Sequence, residues 1–211
     1  MESHIGPRKI LPLLGNAPEA MYQALVTGIG FADHLQPDAG NVNSHFWSHC
    51  VRYRAWRQLG QVESDSWRLV PNVPNFGIHI LIGEIHTLRL VRSLSNTVPP
   101  PGRNVARRAA WTGYSEQLSF EFASVGEGET TFPPLSLIAD WRLDASGEPS
   151  ISVSLPQGPW QYGQNPRCHW RVALASTSSS RLEDLHFEGE DGGDPTIEIE
   201  VDPMEWGGFE G

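Results

Sequence analysis

The amino-acid sequence predicts an α+β fold. Its core is a mostly antiparallel, twisted sheet built around a hairpin at residues 77–93. Two N-terminal helices pack against that sheet, and a short arginine-rich helix follows the hairpin. Three patterns carry this expectation. Residues 78–82 and 85–91 alternate β-branched or leucine positions with polar ones, the signature of strands. Two earlier stretches repeat apolar residues at helical spacing. Further alternating runs at 117–123, 135–143, 150–155 and 168–174 supply more strands.

Within the hairpin, Gly83-Glu84 reads as a two-residue type II′ loop, whose twist suits the flanking strands. That register sets Ile82 opposite Ile85, Leu81 opposite His86 and His79 opposite Leu88. It groups Ile78, Ile80, Ile82 and Ile85 with Thr87 and Arg89 on one face. His79 and His86 then join Leu81, Leu88 and Leu90 on the other. Apolar residues on both faces predict a central hairpin covered on both sides. A slip of one residue would exchange the faces.

The other elements follow in order. Residues 1–16 are expected to be extended and to pack through Ile10, Leu11, Leu13 and Leu14. Asn16 is a candidate cap for a helix over 18–34, with Met21, Tyr22, Leu25, Ile29 and Phe31 inward. Gly28 and Gly30 predict a break in its second half. After the turn Pro37–Gly40, Asn43 or Ser44 starts a second helix to Leu59, apolar around most of its circumference. Trp67–Val70 reads as a short strand, and Pro71–Asn75 interrupts pairing before the hairpin. The run Pro99-Pro100-Pro101-Gly102 is a stiff spacer before a helix over 103–111. Asp144–Glu148 joins two strands as a longer hairpin loop. These elements form one domain over 1–182. Residues 183–211 read as an acidic tail, with a period-two run at 196–201 that suits an edge strand.

Charge divides the chain. Its 211 residues carry a net charge of −10, but residues 1–112 sum to +4 and residues 113–211 to −14. From Leu182 onward there are eleven acidic residues and no Lys or Arg. Such asymmetry points to partners of opposite charge, or to self-neutralisation. Lys9 is the one lysine; the other basic residues are arginines, suited to bidentate pairing with carboxylate or phosphate. Cys50 and Cys168 form no motif, so free thiols and a cytoplasmic location are expected. No apolar run reaches the roughly 18–20 residues of a membrane span. The N-terminus lacks a signal-peptide pattern.

Three groups of residues are candidates for chemistry. His45 and His49 stand four apart on the second helix, a spacing that zinc sites use. His79 and His86, on one sheet face in the expected register, complete a candidate metal set with zinc as cofactor. Phe46 occupies the place where zinc-protease helices carry Glu, and solvated or hydrogen-bonded histidines account for the same pattern. Glu63, Asp65 and Glu84 are a second metal-binding set, of nuclease type, in exposed loops. Asp140 stands beside Trp141 in a strand. No Gly-x-Ser-x-Gly elbow or Walker loop occurs. The third group is Arg89, Arg92, Arg103, Arg107 and Arg108 with Trp111, an anion patch for nucleic acid or an acidic partner.

The reading these features favour is a non-enzymatic interaction or regulatory protein of bacterial type, in the class of antitoxins, immunity proteins and defence-system accessories. It would bind a basic protein through its acidic tail, at Glu198, Glu200, Asp202 and Trp206, and through an aromatic surface drawn from its eight tryptophans. The competing readings are a metal-dependent hydrolase or nuclease using the histidines, and a nucleic-acid binder using the arginines. No membrane partner is expected.

Overall fold

A computed structural model describes residues 5–35, 44–101, 105–112, 134–158, 160 and 164–174. All of these fall within one compact unit, Met1–Ser178. The expected strands at 117–123 and 196–201 and the acidic tail lie outside the described residues.

Four helices are described: α1 (Pro7–Ile10), α2 (Ala17–Leu35), α3 (Ser44–Leu59) and α4 (Val105–Ala110). Six strands form one sheet in the order β1 (Trp67–Leu69), β2 (Ile78–Ile82), β3 (His86–Arg92), β4 (Ser136–Leu143), β5 (Pro149–Gln157) and β6 (Arg167–Leu174). Every neighbouring pair is antiparallel except β3 and β4, which run parallel. The fold is thus α+β, with α2 and α3 packed on one face of a mostly antiparallel sheet. Among the described residues no helix is long and apolar enough to cross a membrane.

The hairpin register differs from the expected one by one residue. Ile82 pairs with His86, Ile80 with Leu88 and His79 with Arg89. Gly83 and Glu84 both take positive φ, the Ile85 N–H returns to the Ile82 carbonyl at 3.3 Å, and Ile85 is left out of the ladder. The reason is the hydrophobic pattern. This register joins Ile78, Ile80 and Ile82 with Leu88 and Leu90 in one buried face, where the expected one would bury Thr87 and Arg89. The hairpin is therefore fully buried on its helix side alone, with every second residue half-exposed. The strands covered on both sides are β4 and β5. Beneath their second face lie Val98, Ala110 and Trp111, packed on Ile138.

The N-terminus is not extended. Pro7–Ile10 makes one α-helical turn and Leu11–Leu14 a 3-10 turn, with Pro7 and Pro12 supplying helix-compatible φ. Ile10, Leu11 and Leu14 are buried, whereas Leu13 is exposed. Gly15 then takes φ of +52°, and a Cβ there would also lie 2.2 Å from Ser66 Oγ, so both the backbone and the close approach call for glycine. Asn16 stands at the N-cap position of α2, its backbone carbonyl accepting from the Ala20 N–H at 3.0 Å, while its side chain is engaged elsewhere. It accepts hydrogen bonds from Trp67 Nε1 (2.7 Å) and Ser64 Oγ (2.9 Å), fastening the start of α2 to β1.

Nor does α2 break at its glycines. Gly28 is where α2 and α3 approach: a Cβ there would stand 2.6 Å from the Val51 carbonyl oxygen. Gly30 faces open space. The two positions should therefore respond in opposite directions. Gly28→Ala forces the helices apart and should cost about 1–3 kcal/mol. Gly30→Ala should add about 0.5–1 kcal/mol by restricting the unfolded chain. Urea unfolding midpoints of the two variants check this; equal shifts would contradict the close approach.

Candidate functional site

The shape of α3 begins the site. Ser44, Ser48 and Arg52 follow at intervals of four, so they line one face of the helix. That face looks onto the end of the β2–β3 hairpin remote from its turn. Between them lies a cleft of about 830 Å³. It takes residues from both sides of the sheet: Ile78, Leu90, Arg92 and Trp141 from the helix side, His79, Arg89 and Val91 from the other. Three arginines (Arg52, Arg89, Arg92) and two histidines (His45, His79) line it. Among the described residues no Asp or Glu does.

Arg92 is held more closely than its neighbours. Its guanidinium carbon lies 4.6 Å from the centroid of the Trp47 ring and 5.8 Å from that of Trp141. Those rings are 6.2 Å apart and tilted by 39°. Cation–π attraction therefore acts on the guanidinium from two aromatic groups. One guanidinium nitrogen donates to Ser48 Oγ, and that hydroxyl donates in turn to the Ser44 carbonyl at 2.7 Å. Trp47 is oriented by its own N–H, which donates to Asp33 Oδ1 at 2.6 Å. Among the described residues no carboxylate pairs with Arg92. Burial lowers its pKa, since desolvation disfavours the cation.

The opposite wall is a strained loop. Asn72, Asn75 and Phe76 all take positive φ. Asn tolerates this conformation, but for Phe76 it is costly. What holds Phe76 is aromatic packing: its ring centroid lies 4.9 Å from Tyr53, 5.5 Å from His49 and 5.8 Å from Trp56. Arg52 Nη1 donates to the Asn75 carbonyl at 3.3 Å, tying the loop to α3.

The sequence-based candidates are redistributed accordingly. His45 and His79 line the cleft. His49 packs against Phe76 instead. His86 is on the opposite sheet face from His79, 3% exposed, where its Nδ1 accepts a hydrogen bond from the Leu135 N–H at 3.2 Å. The expected pairing of His79 with His86 on one face fails with the register. Among the described residues, no three His, Cys, Asp or Glu side chains group to hold a metal ion. Glu63, Asp65 and Glu84 are separately exposed on loops. Of the arginine patch, Arg89, Arg92 and Trp111 meet in the cleft. Arg108 is exposed and does not line it. Arg103, the side chain of Arg107, and Glu198, Glu200, Asp202 and Trp206 lie outside the described residues. Arg52, Ser44 and Ser48 escaped the sequence reading, although their four-residue spacing is visible in it.

A further charged group is buried outside the cleft. Asp140, 1% exposed, pairs with Arg171 across β5, Arg171 Nη2 donating to Oδ2 at 2.7 Å. Arg171 Nη1 also donates to the Asn96 carbonyl (2.9 Å) and side-chain oxygen (3.0 Å), pinning the segment after β3. Burial raises the Asp140 pKa, and the Arg171 hydrogen bond and charge oppose the rise. This pair has a structural role, because leaving either charge unpaired in the interior is costly. The Cys168 thiol is pushed up to about 11, chiefly by burial, so it is not a reactive thiolate.

His86 yields a prediction. Burial holds its pKa below the ordinary 6.5. As pH falls below that value the unfolded chain takes up the proton first, so stability falls with acidification. Protonation would also set an N–H against the Leu135 N–H. His86→Asn keeps an acceptor without the titration. The difference in its urea midpoint between about pH 7.5 and about pH 5 should be smaller than in the parent. An unchanged difference would remove His86 from this role.

No protein-family model matches the chain, and neither does any curated protein or solved structure.

Proposed function

We propose that this is a non-enzymatic interaction or regulatory protein that receives an anionic group of its ligand or partner in the α3–hairpin cleft. The observation carrying this reading is Arg92, which lines the cleft. A half-buried guanidinium held by two indoles and a serine, with no carboxylate beside it among the described residues, is positioned to accept an anion. A binding role fits better than a chemical one. The buried carboxylate at Asp140 is engaged by Arg171, and the Cys168 thiol is protonated.

The test uses labelled anionic probes: an oligoglutamate and a 5′-phosphorylated single-stranded oligonucleotide. At least one should bind the protein, more weakly at about 200 mM than at about 50 mM salt. Replacing Arg89 and Arg92 together by Ala should weaken binding by roughly tenfold or more, the scale of a lost charge-assisted contact. Equal binding by that variant would contradict the reading, as would the failure of both probes.

The acidic segment from Leu182 onward supports a second contact, with a basic partner, on charge alone. Glu198→Gln, Glu200→Gln and Asp202→Asn in one full-length variant should weaken binding of an oligoarginine peptide, more at low salt than at high. Unchanged affinity would remove these residues from the interaction.

A further inference from the structure

All the described contacts of Arg92 are uncharged. Nη1 donates to Ser48 Oγ, and the Trp47 and Trp141 rings hold the guanidinium by cation–π attraction. The Ser48 hydroxyl gives its own proton to the Ser44 carbonyl at 2.7 Å, so it positions the guanidinium and does not compete for an anion. The remaining Arg92 nitrogens have no partner among the described residues, and none is sealed from solvent. An acceptor therefore reaches Arg92 at the N–H groups that Ser48 leaves. A guanidinium presents these groups in one plane and carries a single charge. A carboxylate, with two coplanar oxygens and one negative charge, matches them in both shape and charge. A phosphate monoester, at about −1.5 to −2, would leave charge unmatched beside one arginine. The surroundings are apolar. Leu25, Ile78, Leu90 and Trp141 line the same, helix-side part of the cleft and form its floor, each no more than 6% exposed. Leu94, 90% exposed, stands at the rim. Such walls favour an organic body without a second charge, and the volume, about 830 Å³, is that of a small-molecule pocket.

We propose that the helix-side part of the cleft is a site for a small monocarboxylate with an apolar body, whose carboxylate pairs with Arg92 and whose body lies against Ile78, Leu90 and Trp141. The assignment rests on the anion-binding reading above and names the anion. It asks nothing of Arg52, Arg89 or His79, which have interactions of their own. Trp47, Trp141 and Ser48 orient the guanidinium before any ligand arrives, so little order is lost on binding.

The experiment is calorimetric titration of the full-length protein with phenylacetate, its neutral isostere phenylacetamide, acetate and phenyl phosphate. Phenylacetate should bind roughly tenfold or more tightly than phenylacetamide, for the charge-assisted pair, and than acetate, for the buried ring. Phenyl phosphate should bind no more tightly than phenylacetate. Arg92→Gln should bring phenylacetate down to the level of phenylacetamide. Ser48→Ala loosens the guanidinium and leaves its indole contacts in place, so it should weaken phenylacetate by roughly fivefold and phenylacetamide not at all. Circular dichroism checks the fold of both variants, and Ser48→Ala with the parent's own preferences decides the matter if Arg92→Gln does not fold. Arg68→Gln, exposed on β1 and outside the cleft, is the control and should bind as the parent does. Phenyl phosphate binding more tightly than phenylacetate, and losing that affinity in Arg92→Gln, would overturn the carboxylate assignment and leave the anion reading standing. An N-acetylated peptide carrying the same phenyl group beside its C-terminal carboxylate, if it bound roughly tenfold more tightly than phenylacetate, would overturn the small-molecule source alone. Failure of every anion at millimolar concentration would overturn both readings. So would binding that neither Arg92→Gln nor Ser48→Ala weakens.

Discussion

The turn between β2 and β3 leaves Ile85 outside the ladder, and much of the molecule depends on that. Strand side chains alternate with period two, so one residue more or less in the turn exchanges every side chain between faces. With Ile85 excluded, three isoleucines and two leucines form a continuous surface for α2 and α3. The same choice puts His79 beside Arg89 on the far face and carries Arg92 onto the helix face, within reach of Trp47. The core and the cleft are thus two results of one registration. A protein that lost it would lose both together.

Arg92 shows how a cation is kept near a core without a carboxylate. Burial disfavours its charge, and an acidic neighbour would be the usual remedy. Here two indole faces and a serine hydroxyl take that place. Each contributes less than an ion pair, but none neutralises the charge. On the proposed reading, the guanidinium charge is what an anionic group of a ligand or partner would meet. Asp140 and Arg171 on the far face illustrate the alternative, in which mutual compensation leaves a structural tie and no outward field.

Much of the architecture was legible from the residues. The helix over Ser44–Leu59, the β4–β5 pair and the hairpin all follow from periodicity and turn chemistry, which are local properties. The misreadings arose where a distant segment decided the outcome. Gly28 looks like a helix breaker until Val51 is known to press against it. Asn16 is recognisable as the start of α2, but nothing local shows that Trp67 and Ser64 claim its side-chain oxygen. At Gly83-Glu84 the loop type favours one register and the leucine positions the other, and the leucines prevail. The cleft was half legible: Arg89, Arg92 and Trp111 were recognisable as a group. Their partner Arg52 was not, because nothing local reveals that α3 lies over the open end of the hairpin.

The left-handed residues at Asn72, Asn75 and Phe76 have a kinetic meaning for whatever enters the cleft. A loop bent by its ligand must be ordered on each encounter, which lowers affinity and slows capture. This loop is bent already, by the Tyr53, His49 and Trp56 rings around Phe76. The conformational cost is met once, during folding, from aromatic contacts that never touch the ligand. Arrival at the cleft then resembles docking onto a rigid surface. On the proposed anion-binding reading, differences in affinity would then lie mainly in the rate of departure.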